Sequence, residues 1–77
     1  MNSTIVTVGT VTYAIKLRRL LLRAGIRSKL VKVESASNDG CTHGVKINSS
    51  DFYRAVVVMK GNNISYSVYS GRYYDLS

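Results

Sequence analysis

The tightest constraint on this chain is the order of its patterns. A β-branched run, a helical-period segment, two strand-like segments, a second helical segment and an alternating run all fit within 77 residues. Ile5-Val6-Thr7-Val8 reads as a buried strand ended by Gly9. Thr10 has the side chain of a helix N-cap, and a helix is expected from Val11 to Ala24. At about 100° per residue, Ala14, Leu17, Leu21 and Ala24 share one face, flanked by Tyr13 and Leu20. Gly25 follows as a C-cap, because it reaches the left-handed conformation without steric cost.

Lys29 to Glu34 reads as a second strand, Ser35 to Gly40 as turn chemistry, and Val45-Lys46-Ile47 as a half-buried strand. Ser49 or Ser50 caps a second helix running to about Lys60, with Asp51 in its first turn. The Val56-Val57-Val58 run has poor helix propensity. Gly61-Asn62-Asn63 breaks the helix, and Ile64 to Tyr69 alternates as a last strand. Two β-α-β units with right-handed crossovers predict an α+β, ferredoxin-like βαββαβ sandwich: a four-stranded antiparallel sheet with both helices on one face. The reading is a single domain over 1–77, with its core at about 4–69 and 70–77 as a tail or strand extension.

Composition narrows the function classes. The chain is 45 % hydrophobic and 19 % charged, which argues against disorder. A domain this short leaves no room for a separate catalytic lobe. One cysteine excludes an intrachain disulfide and an all-cysteine metal site, and points to a reducing cytoplasm. Neither a targeting segment nor a membrane span is expected.

The predicted topology places that cysteine. The loop between strands two and three returns to the end of the sheet where helix one begins, and it contains Cys41. Cys41 is therefore expected near Gly9, Thr10, Val11 and Thr12, whose backbone N–H groups open a helix and favour an anion. A thiolate, persulfide or selenide on Cys41 gains from those donors. His43, two residues on, is a proton helper, and Gly40 and Gly44 leave the loop open. The bland alternatives are an inert cysteine and a plain strand histidine; the Gly/Ser/Asn setting of Cys41, outside any apolar run, favours the reactive reading. Cys41-x-His43 has too few ligands for a closed zinc site, so no metal is expected.

Three stretches resemble the Se/S carrier protein-like family of small bacterial domains. They are Ile5 to Ala14, Leu20 to Ile26, and Gly40-Cys41-Thr42-His43-Gly44 after a Ser/Asn-rich loop. The resemblance covers roughly Thr4 to Val68. It implies that Cys41 carries sulfur or selenium covalently, with donor and acceptor proteins as partners and no other cofactor. Such a protein is a carrier more than an independent enzyme. The chain departs from the family pattern in placing Thr42 and His43 between Cys41 and Gly44, and in having no proline.

Charge supports a rival. Eleven Lys and Arg against four Asp and Glu give a net charge of +7. Lys16, Arg19 and Arg23 form a stripe on helix one, and Arg27, Lys29 and Lys32 follow in sequence. A basic binding or regulatory module for RNA or an acidic protein is the alternative function; a solvated helix face is the bland reading. Val11, Ile15 and Leu22 lie outside the best core arc, where a partner or homodimer contact would use them. The six tyrosines fit packing, an exposed sheet face or a second copy better than RNA stacking, since Val45-Lys46-Ile47 has no ring.

Overall fold

The computed structural model describes residues 2–33 and 43–76. The elements are β1 (Ser3–Thr7), α1 (Val11–Arg23), β2 (Ser28–Val33), β3 (His43–Asn48), a 3₁₀ turn (Ser49–Asp51), α2 (Phe52–Gly61), β4 (Ser67–Tyr69) and β5 (Tyr73–Asp75). The fold is α+β, with the strands in one antiparallel sheet of order β4-β1-β3-β2-β5. The order of β1 to β4 is that of the predicted βαββαβ unit. The expected four strands are corrected to five, because residues 73–75 pair with β2 and extend the sheet beyond its predicted edge.

Both helices cover one face. Ala14, Leu17 and Leu21 of α1 and Ala55 and Met59 of α2 share a core with Val6, Val45 and Ile47 of the sheet. The i, i+3, i+7 spacing in α1 makes this burial possible. Ala24 and Tyr13, expected on or beside that face, are exposed. Ala24 is the C-cap, where the helix has already begun to turn away. The valines of α2 are helical despite their β propensity: Val56 and Val58 pack against the core while Val57 faces outward. Tertiary burial overrides the local preference there.

The two helices end alike. Gly25, at φ +79°, follows the cap of α1; its N–H bonds Leu22 O, and Ile26 N–H bonds Leu21 O at 2.8 Å. Asn63, at φ +56°, does the same for α2, its N–H bonding Lys60 O and Ile64 N–H bonding Met59 O at 2.9 Å. These are Schellman motifs, each with a buried isoleucine packed behind the left-handed residue. The second motif explains why the last predicted strand shortens from Ile64–Tyr69 to Ser67–Tyr69. Ile64 is held by the α2 cap, and Tyr66 packs edge-on to Phe52 at 6.4 Å.

On the far face of the sheet at least one tyrosine serves packing, the first of the readings offered for these residues. Ile5, Val31 and Val33 lie there and are buried, with Tyr69 packed over them. Connectivity gives the cause. The edge strands β4 and β5 are joined by residues 70–72 alone. Four flat inter-strand spacings would separate them by about 19 Å, whereas four residue steps span at most about 14 Å. The sheet is therefore coiled, and the 70–72 strap crosses its concave face. Tyr69 Oη donates to Arg72 O at 2.8 Å across the strap, and a Cβ on Gly71 would lie 2.7 Å from Tyr69 Oη, so a side chain there would displace the ring.

Candidate functional site

Register places the start of β3 beside the end of β1. Thr7 is paired with Gly44 and Val6 with Val45. From Thr7 the chain passes through Val8 and Gly9 to the N-cap of α1 at Thr10. His43 and Gly44 thus stand at the end of the sheet where α1 begins. His43 is half-buried, lies opposite Lys32 of β2, and has the strand parity of Val45 and Ile47, which face the helices.

Among the predicted anion donors, Thr10 is the N-cap, and its Oγ1 accepts from Tyr13 N–H at 3.2 Å. That bond satisfies one of the four amides a helix start leaves without intrahelical partners. Val11 and Thr12 are the first two helical residues, Gly9 precedes the cap, and all three are exposed. The first turn of α1 contains no acidic residue, so nothing there opposes the positive end of the helix dipole.

Gly44 differs from its expected role. It is buried inside β3 and does not form part of an open loop. A Cβ at this position would sit 2.8 Å from Val6 O and 3.3 Å from Ile5 Cγ2. The β1 backbone opposite it lies closer than a side chain permits. Cys41 and Gly40, the carrier thiol and its flanking glycine in the sequence reading, lie outside the described residues.

The basic stripe is present on α1. Lys16, Arg19 and Arg23 are exposed and line a groove of about 380 Å³ with Thr12, Ile15 and Leu20. Lys16 Nζ stands 5.9 Å from the Tyr13 ring centre. Sequence reasoning missed a second basic concavity of about 440 Å³ at the opposite end of the sheet, where Arg18 and Arg19 of α1 meet Arg27, Lys29 and Lys46. The signal was available. Cations flank the Gly25 reversal on both sides, and that reversal folds β2 back along α1.

Two ion pairs form among the described residues. Arg54 pairs with Asp51 one turn away at 2.9 Å, and Lys46 Nζ donates to Asp75 Oδ1 at 3.0 Å. Lys46 also lies 5.0 Å from the Tyr73 ring centre. The Asp75 hydrogen bond is the main cause that holds the Lys46 ammonium above its ordinary pKa of 10.5, against a smaller opposing effect of desolvation. No group of three or more His, Cys, Asp or Glu side chains suited to a metal occurs among the described residues. Nor is any described helix long and apolar enough to cross a membrane.

The family model described as Putative Se/S carrier protein-like matches residues 3–70. No curated protein and no solved structure matches the chain.

Proposed function

The chain belongs to the Putative Se/S carrier protein-like family, and from that premise we propose that it is a sulfur or selenium carrier with Cys41 as the carrying thiol. The family match over nearly the whole chain is the observation that carries this reading. The β1–β3 register supports it. Cys41 is two residues before His43 in sequence, and two residues span at most about 7 Å. The α1 N-terminus opens at the same end of the sheet as His43. On this reading the scaffold is a ferredoxin-like sandwich with an added edge strand.

The transfer is a thiol exchange that needs no oxidant. The Cys41 thiolate attacks the terminal sulfur of a donor persulfide. The donor S–S bond breaks as the Cys41 S–S bond forms, and the electron pair leaves on the donor thiolate. The Val11 and Thr12 amides stabilise the anion before and after transfer, and His43 holds or returns the proton. The acceptor repeats the exchange in reverse. Donor and acceptor proteins are the partners, and a reducing compartment keeps Cys41 available.

Intact-mass spectrometry after incubation with a cysteine desulfurase and cysteine tests the proposal. A gain of about one sulfur on the wild type that is absent from Cys41→Ser is expected. An unmodified wild type, together with a Cys41 thiol pKa near the ordinary value of about 8.5, overturns it.

A further inference from the structure

We propose that the basic cavity at the end of the sheet remote from His43 binds one phosphorylated nucleotide unit, either free or within a single RNA strand. The cavity holds about 440 Å³ and lies where β1 and β2 begin and β3 ends, beside the last turns of α1. That volume falls within the range of small-ligand sites, roughly 300–1,000 Å³.

Its charge is one-sided. Arg18, Arg19, Arg27 and Lys29 line it, all exposed and none in an ion pair among the described residues, and no carboxylate lines it. The dipole of α1 favours a cation in its last turn, but the one there is Arg23, which does not line this cavity. Nor does the dipole account for Arg27 and Lys29, which come from the turn and from β2. Lys29 also stands directly opposite Lys46 across the β2–β3 ladder, a like-charge pairing that works against the sheet. Asp75 neutralises Lys46. The other four cations have no such compensation among the described residues, and phosphate oxygens would supply it. Guanidinium groups match those oxygens in pairs and also stack on planar rings.

The wall is not only charged. Leu22 is 70 % exposed and lines the same cavity. An exposed leucine lining the same cavity as three arginines suits a ligand with a phosphate at one end and a flat, weakly polar ring at the other. Inorganic phosphate would use the cations alone. The net charge of +7 attracts such anions from a distance.

The test uses the full chain. ATP binding is measured by calorimetry, and binding of a fluorescein-labelled single-stranded RNA by anisotropy, each at about 50 and 200 mM salt. Saturable binding is expected, with affinity at least about tenfold lower in Arg27→Gln/Lys29→Gln. Lys16→Gln/Arg23→Gln, at the two cations of the adjoining α1 groove that do not line the cavity, should change affinity by less than about twofold. Leu22→Ser should weaken ATP while leaving weak inorganic phosphate binding unchanged. ATP binding that RNA does not match assigns a free nucleotide, and RNA binding alone assigns a strand. The proposal is overturned if neither probe binds saturably, or if the Lys16/Arg23 pair loses as much affinity as the Arg27/Lys29 pair. Circular dichroism melts of each variant separate a lost site from a lost fold.

Discussion

Replacing Gly44 by alanine tests whether a close backbone approach holds the His43 end of β3 against β1. The added Cβ would lie 2.8 Å from Val6 O, 3.3 Å from Ile5 Cγ2 and 3.4 Å from Thr7 Cγ2. The nearest of these is a backbone atom of a central strand, so no side-chain rotation can relieve the contact. The remaining response is to separate β1 from β3 locally, at the pairs Thr7–Gly44 and Val6–Val45. Overpacking of this kind costs about 1–3 kcal/mol. A 77-residue domain has roughly 4–12 kcal/mol in total, so the loss is a substantial fraction. A loss of about 2 kcal/mol lowers Tm by roughly 8–16 °C in a domain of this size. Thermal unfolding followed by circular dichroism measures it. Gly9→Ala is the control, because nothing lies within 4 Å of its Cβ position and the change should stay within about 0.5 kcal/mol. If Gly44→Ala melts within about 2 °C of Gly9→Ala, the strands are not packed at this separation. The account of how His43 is positioned then fails with it.

Two further outcomes follow from the fold. Asn63 holds φ +56° at the end of α2, so Asn63→Ala should lose about 1 kcal/mol in urea unfolding while Asn63→Gly is at least as stable as the wild type; equal losses for both would reject the Schellman assignment. Because the folded pKa of Lys46 is raised above 10.5, its attraction to Asp75 stabilises the protein fully below that value and disappears as pH rises through the folded pKa. The Tm of the wild type should therefore decline more steeply above about pH 10.5 than that of Asp75→Asn; parallel profiles would show that the pair contributes nothing.

Part of the site was visible in the sequence and part was not. Thr10 as N-cap and Gly25 as the left-handed residue after α1 rest on interactions within a few positions, and local chemistry is enough to read them. The last predicted strand lost Ile64 because a helix-ending motif competed for the same residues, and the Asn63 signal was weaker than glycine would have been. Gly44 was read as a loop residue because its constraint comes from β1, some 37 positions earlier at Thr7. The basic cavity was legible only in part: its cations flank Gly25 in sequence, but their convergence is tertiary. Arg27 and Lys29 are two apart, as on one face of a strand, but Arg18 of α1 joins them only because the chain reverses at Gly25.

The sequence by itself determined the α+β class, the order of the first elements, the apolar face of α1 and the family, because each depends on periodicity, capping or motif spacing along the chain. Only the tertiary structure decided the fifth strand, the coiled sheet and the covered far face. The isolated Tyr73–Asp75 segment is three exposed residues with no distinctive pattern. Its pairing with β2 is set by the short 70–72 strap and by the burial of Ile5, Val31 and Val33 beneath Tyr69. Those contacts join residues distant in sequence, so no local pattern along the chain encodes them.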